Sequence, residues 1–242
     1  INDYFNLKAV KNYDLVERFD VVIINNVITH VDDVFDFLEA LSLVVKKNGI
    51  IYFEMCDYKK VIDNDRFEYF YHGVTNLILP NQIEDLLTDF ECISDLGFNG
   101  FDPFSKKFIL QKTNSNNKKY IPQIHQIYNA QIKLISWCKK IDMFFDSLSH
   151  FKKVVGYGAN SKSGIVLALS PVAQQKINII LDANLNKHNK IISGSMVQIK
   201  HIDSYNLNNI DCIVLFAAHI FNEVKQALEI KGYTGKLLVL EL

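Results

Sequence analysis

"FDVVIINNVITHVDDVFDFLEALSLVVKKNGIIYFE", residues 19–54, spells a strand, a helix and a second strand in succession. Its opening "FDVVIINNVI" is a short β-branched run, the composition of a strand buried on both faces of a parallel sheet. "DDVFDFLEALSLVVKK" then sets Val34, Phe37, Leu38, Leu41, Val44 and Val45 on one helical stripe. Asp32 or Asp33 is available as N-cap, and Lys46 and Lys47 fall near the negative end of the helix dipole. Asn48-Gly49 ends that helix, and "IIYFEM" is the next strand. Two strands joined through a helix pair in parallel with a right-handed crossover, so the fold class is α/β.

Working outward, "NQIEDLLTDF" predicts a further helix, and "CISDLGF" and "KKFILQK" predict two short strands. The polar, turn-rich "TNSNNKK" at 113–119 marks a boundary. A long helix is expected over 121–151, where Ile124, Ile127, Tyr128, Ile132, Ile135, Ile141 and Phe145 recur at helical spacing. Beyond it the same grammar returns: strand "KVVGYG", helix "KSGIVLALS", strand "INIILDAN", loop "SGSMVQI", helix "DSYNL", strand "DCIVLFAA", helix "FNEVKQALEI" and strand "KLLVLEL". The expectation is two Rossmann-like lobes with mainly parallel sheets, the first incomplete, joined by a long helix. The corresponding segments are 1–112, 113–150 and 151–242. An incomplete sheet has an open edge that dimerisation or rearrangement would cover, so a homo-oligomer is among the expectations.

At 242 residues, 49% hydrophobic and 22% charged, the chain can bury a sizeable core. A net charge of -1 and a pI near 6.7 supply no basic field for a polyphosphate backbone, which excludes nucleic acid as the main partner expected. Cys56, Cys92, Cys138 and Cys212 stand far apart with no C-x-x-C pair, so neither a zinc site nor a disulfide framework is expected; reduced cytoplasmic thiols are. No apolar run approaches the ~18 residues of a membrane span, and no signal pattern opens the chain, so the expected location is the cytoplasm, away from membranes. The start at "INDYFN", without Met and close to a structured element, has the look of a fragment.

In an open parallel sheet, ligands lie beyond the carboxyl ends of the strands. For the first lobe this selects Asn25, Asn26 and His30, then Glu54, Asp57 and Tyr58. In "FEYFYHGVTN", Tyr71 and His72 offer a phenol and an imidazole able to hold or move a proton, provided they lie in a loop or helical turn and so share one side. In the second lobe, "VVGYGANSKSG" places two glycines one residue apart between a strand and a helix. Ser161 stands where a dinucleotide fingerprint has its third glycine, and the order of Lys162 and Gly164 does not match a P-loop. Asp182 lies some twenty residues later at a strand end, where a Rossmann fold directs a carboxylate to a ribose hydroxyl. Amides at a helix N-terminus together with Lys162 would favour a phosphate; the alternative is a tight turn with Asp182 capping the segment after its strand.

The N-N-V-x-x-H-V turn and K-x-x-G-x-x-x-x-E within 19–54 resemble the second half of a class I S-adenosylmethionine-dependent methyltransferase domain. Followed by "FEYFYH", a long helix, "GYGANSKSG" and "LDANLNKHNKIISG", they resemble the sugar C-methyltransferase family, whose C-terminal Rossmann-like domain has a G-Y-G-A-x-x-K-G turn. The resemblance covers nearly the whole chain from Tyr4.

It implies a base that removes a proton alpha to a ketone on a nucleotide-linked deoxysugar, donors that hold the enolate, and in-line attack of its carbon on the sulfonium methyl. Tyr71 and His72 match the family's catalytic motif. Gly73 and Val74 stand where the family has a glutamate and a second histidine. Asn25, Asn26, His30 and Glu54 would line the side of S-adenosylmethionine, whose full site needs a glycine-rich loop upstream of Ile1. Gly156, Tyr157, Gly158, Ala159, Lys162 and Asp182 would face the sugar nucleotide. No metal is implied within this chain, since the family's zinc cysteines also lie upstream. Two other readings remain: a non-catalytic methyltransferase-like binding or interaction module, and a nicotinamide-binding second lobe, against which Ser161 counts.

Overall fold

The computed structural model of the chain describes residues 1–98, 100, 102–113 and 130–241. They form two compact units. One contains Ile1–Asn64 and the described part of His72–Tyr128; the other contains Asp65–Tyr71 and the described part of Asn129–Leu242. Residues 65–71 therefore belong with the second unit, although the chain on both sides of them belongs with the first.

The first unit runs α1 (Leu7–Asn12), β1 (Phe19–Asn25), α2 (Val34–Val44), β2 (Val45–Cys56), α3 (Tyr58–Asp63), α4 (Pro80–Leu86), β3 (Phe90–Phe98) and β4 (Ser105–Lys112). Its sheet has the order β1-β2-β4-β3. β1 pairs with β2 in parallel, as a strand-helix-strand unit requires, and β4 is antiparallel to both neighbours. Asp33 is the residue that caps α2, accepting from the Asp36 amide.

The helix ends earlier than its apolar period suggests. Val45 already belongs to β2, so Lys46 and Lys47 lie in the strand and not on the helix dipole. Asn48 takes a φ of +62°, and the β1–β2 register slips between Phe19 and Val21. Gly49 closes this bulge: a Cβ there would lie 2.8 Å from Val45 Cγ1 and 3.0 Å from the Asp20 carbonyl. Ile51, Phe53 and Met55 of β2 and Phe108 and Leu110 of β4 form the core with Phe37, Leu38 and Leu41 of α2. The Phe53 and Phe108 rings stack at 5.2 Å. Among the described residues β1 lies at the edge of this sheet, with Val21 and Ile23 exposed by 53% and 68%.

The second unit contains α5 (Ala130–Ser147), β5 (Val154–Tyr157), α6 (Ser161–Leu169), α7 (Pro171–Lys176), β6 (Ile177–Asp182), β7 (Gln198–His201), β8 (Cys212–Leu215), α8 (Phe221–Ile230) and β9 (Lys236–Val239). The sheet order is β7-β6-β5-β8-β9, parallel throughout. Strand alternation feeds two cores. Val154, Ile180 and Val214 meet α5, α6 and α7 on one face, while Val155, Leu181, Ile213 and Leu215 meet α8 on the other. Strand order reverses between β5 and β8, the topological switch at which open α/β sheets bind ligands. Together the two sheets are mainly parallel, as expected.

Three local expectations change. Of the helix predicted over 121–151, the described part begins at Ala130; Ile124, Ile127 and Tyr128, and the boundary stretch from residue 114 on, lie outside the described residues. Ile141 and Phe145 are buried, but Ile132 and Ile135 are exposed, and Trp137 takes the next place on the stripe at i, i+4, i+8. "DSYNL" is not a helix. It forms short 3-10 turns at Ile202–Ser204 and Leu207–Asn209, because the Asn206 side chain accepts from the Asn208 amide and closes a turn instead. The end of "SGSMVQI", read as loop, contributes to β7, where backbone pairing with β6 supplies the hydrogen bonds.

Candidate functional site

Parallel pairing brings the carboxyl ends of β1 and β2 side by side, with Asn25 opposite Glu54. Asn26 leaves β1 in the left-handed region, φ +51°, and its amide donates to the Glu54 carbonyl at 2.7 Å. Asn26 Nδ2 donates to Asn25 Oδ1 at 3.0 Å. Ser105 Oγ lies 3.4 Å from Asn26 Oδ1 and 3.2 Å from Glu54 Oε1, and the Tyr52 hydroxyl donates to Glu54 Oε2 at 3.3 Å. Glu54 is buried, at 7% exposure. The Tyr52 phenol is pushed above its ordinary value by burial first, then by the charge of Glu54 and the hydrogen bond to it.

Three of the expected residues, Asn25, Asn26 and Glu54, thus form one polar cluster. Ser105 and Tyr52 join it unforeseen. Ser105 is 79 positions from Asn26 and arrives only through the antiparallel register that sets it opposite Cys56.

His30 makes a separate contact. It ends the turn Ile28–His30, and its Nδ1 lies 2.6 Å from the Gly73 carbonyl. The Thr75 amide donates to the Thr29 carbonyl at 3.0 Å, Thr75 Oγ1 to the Val31 carbonyl at 2.9 Å, and Asn76 Nδ2 to the Ile28 carbonyl at 2.8 Å. His30 therefore belongs to an anchor that pins the segment directly after His72. Tyr71 is half-buried and His72 exposed, both in irregular chain beyond the turn Phe67–Tyr69; Tyr71 falls in the second unit and His72 in the first. A cleft of about 380 Å³ in the first unit is lined by Asp57, Leu79, Glu84, Cys92 and Lys106 among others, and includes none of Asn25, Asn26, His30 or Glu54.

In the second unit the glycine-rich turn is closed on itself. The Gly158 amide donates to the Leu181 carbonyl at 2.8 Å, the Ala159 amide to Asp182 Oδ2 at 2.8 Å, and the Asn160 amide to Ser163 Oγ at 3.0 Å. The Asn160 side chain caps α6 by accepting from the Ser163 amide at 2.9 Å. Lys187 Nζ reaches the Ala159 carbonyl at 2.8 Å and Asp182 Oδ2 at 3.1 Å, and Asp182 Oδ1 accepts from the Asn184 amide at 2.8 Å.

These contacts give the Gly158, Ala159 and Asn160 amides acceptors within the turn, and they make the Asp182 carboxylate the clamp that shapes it. Gly156 also has a packing role, since a Cβ there would lie 2.8 Å from Ile180 Cγ1 and 2.9 Å from Phe216 Cε2. Gly158 has a φ of +95°, which glycine alone adopts without strain. Tyr157 is a core residue on the α8 face, its phenol raised by burial and then by Asp182.

Lys162, on the first turn of α6, extends away from the turn. Its Nζ donates to the Leu240 carbonyl at 3.3 Å, just past β9. Burial lowers its affinity for a proton, and Arg66 adds to that while Glu68 and Glu241 oppose it. Arg66 and Glu68 were not expected. Both lie in the 65–71 segment, which packs on α6.

Among the described residues no group of three or more His, Cys, Asp and Glu is arranged to hold a metal, and no helix is long and apolar enough to cross a membrane. The chain matches the family profile of a methyltransferase domain over residues 10–53 and that of the C-methyltransferase C-terminal domain over residues 109–240. No curated protein matches it. Among solved structures it is similar to the PH0226 protein from Pyrococcus horikoshii OT3, at 12% identity and a TM-score of 0.34, over 44% of this chain and 64% of that one. It is also similar to the T. thermophilus 16S rRNA N2 G1207 methyltransferase in complex with AdoMet and guanosine, at 9% identity and a TM-score of 0.26, over 84% of this chain and 56% of that one. The chain therefore spans under two thirds of the length of either, and TM-scores this low carry no argument about function. The C-terminal profile accounts for more than half of the chain, and the chain belongs to the C-methyltransferase family.

Proposed function

We propose that this chain is part of an S-adenosylmethionine-dependent C-methyltransferase acting in the cytoplasm on a nucleotide-linked deoxy-keto-sugar, with loss of a proton alpha to the ketone and methyl transfer to that carbon. The match to the C-methyltransferase C-terminal domain carries this reading. The carboxyl edge of β1 and β2 fits the cofactor: Asn25 is exposed, its Oδ1 is taken by Asn26, and its own Nδ2 has no acceptor among the described residues, while Val27 beside it presents a 43% exposed apolar surface. S-adenosylmethionine, when bound, supplies an electrophilic methyl group on a sulfonium.

This chain's residues do the rest. Glu54 and Ser105 hold Asn26 in its turn. His30 fixes the Gly73 carbonyl and with it the position of His72, the exposed imidazole to which we assign the proton. Tyr71 donates to the enolate oxygen. In the second unit, Gly156, Tyr157, Gly158, Ala159 and Asp182 act as scaffold for Lys162, the residue assigned to the sugar nucleotide. A second reading, a non-catalytic binding module, is favoured by Gly73 and Val74, which provide neither carboxylate nor imidazole next to His72.

Calorimetry with S-adenosylhomocysteine and NAD, together with radiolabelled methyl transfer to a deoxy-keto-sugar nucleotide, tests the proposal. Heat with S-adenosylhomocysteine alone, and transfer that disappears in His72→Ala, supports it. Binding without transfer selects the second reading, and preference for NAD overturns both.

A further inference from the structure

A carboxylate inside a protein normally has its lone pairs occupied. Glu68 departs from this. Its side chain is 4% exposed, and Arg66 holds one oxygen only, with Nε at 2.6 Å and Nη2 at 2.5 Å from Oε1. Oε2 is buried and accepts no hydrogen bond among the described residues. The arrangement is rigid, because Phe67 next to it is packed 6.0 Å from both Phe70 and Trp137. Lys162 stands on the facing turn of α6, near enough to sense the charge of Glu68, and among the described residues its ammonium has no ion pair and one acceptor, the Leu240 carbonyl, for three N–H bonds. The pair sits at the carboxyl side of a parallel sheet with a topological switch, where ligands enter.

Asp182, at the strand end where a Rossmann-like site directs an acid at a sugar hydroxyl, has its oxygens engaged by Ala159, Asn184 and Lys187. We propose that Glu68 takes that role: a sugar hydroxyl donates its proton to Glu68 Oε2 and accepts from Lys162 Nζ, while Arg66 fixes the carboxylate by its other oxygen. One hydroxyl answers both the open acceptor and the open donor, which neither a phosphate nor an ammonium group can do. The inference rests on the sugar-nucleotide reading and adds the group that recognises the sugar. The hydroxyl belongs to either the pentose of the nucleoside or the attached hexose.

The test is calorimetric titration of wild type, Glu68→Gln and Lys162→Met with uridine diphosphate and with uridine diphosphate glucose. Glutamine keeps the shape and the contact to Arg66 but turns a donor toward the ligand. Loss of about tenfold in affinity for both ligands in Glu68→Gln places the contact on the pentose, and loss for the glucose conjugate alone places it on the hexose. Lys162→Met should weaken the same ligand. Unchanged affinity in a Glu68→Gln protein with wild-type near-ultraviolet circular dichroism overturns the assignment, as does a wild type that binds neither ligand. Because no methyl donor is present, a failure here is separate from a failure of methyl transfer.

Discussion

Asp182→Ala distinguishes a clamp from a ligand-facing carboxylate. The wild-type side chain accepts from the Ala159 amide, the Asn184 amide and Lys187 Nζ, at 2.8, 2.8 and 3.1 Å, and the residue is 9% exposed. Removing it strands the Ala159 amide without an acceptor, which costs about 1–3 kcal/mol. The contact to Lys187, itself 38% exposed, adds little on top, in the range of ~0–1 kcal/mol. The expected loss is therefore about 1–4 kcal/mol. Trp137 is the sole tryptophan, is 1% exposed and lies in the second unit, so its fluorescence reports on this unit during urea unfolding. With an m value of about 2 kcal/mol/M, the midpoint should fall by roughly 0.5–2 M. Asp182→Asn keeps one acceptor and should fall about half as far. An Asp182→Ala midpoint equal to wild type, accompanied by lost binding of a sugar nucleotide, would refute the reasoning and return Asp182 to the ligand.

Gly156→Ala drives a methyl group into Ile180 and Phe216 and should destabilise the second unit by about 1–3 kcal/mol in the same urea experiment; a neutral effect would mean that the sheet gives way there at no cost. Lys162 has its proton affinity lowered on folding, so the unfolded chain holds the extra proton between the folded value and the ordinary 10.5. Wild-type stability should thus rise relative to Lys162→Met as pH climbs toward 10.5, and fall behind as pH drops through the folded value; a difference that stays constant with pH argues against burial of the amine. Burial pushes the Cys56 thiol up to about 12 and the Cys212 thiol up to about 11, with Asp102 and Asp57 adding to the first and Asp211 to the second. Both should resist iodoacetamide in the native chain and react once urea exposes them, and rapid native alkylation located by peptide mass spectrometry would contradict this.

Much of the architecture was legible in the sequence because its signals are local. The run at 21–24 and the stripe Phe37, Leu38, Leu41 are read from neighbours within a turn or two, and they became β1 and α2. The end of α2 was not legible, because Val45 leaves the helix only when β1 is present to pair with it. The stripe of α5 was half legible: Ile132 and Trp137 are both apolar, and only the packing of β5 and α7 against the helix selects Trp137. At the candidate site the strand-end rule found Asn25, Asn26 and Glu54, whose positions come from strand boundaries. It could not find Ser105, nor tell that His30 is an anchor.

By itself, then, the sequence determined the α/β alternation, the strand-end residues and the family, since each rests on spacing along a short stretch or on a motif. Only the tertiary structure decided which polar groups are satisfied and which remain open. The acceptor of an amide or a carboxylate's partner comes from wherever the chain returns: Asp182 to Ala159 across 23 residues, Lys162 to Leu240 across 78. That is why Asp182, conspicuous in the sequence, is occupied in the fold, and why Glu68, inconspicuous in the sequence, is buried with an oxygen to spare.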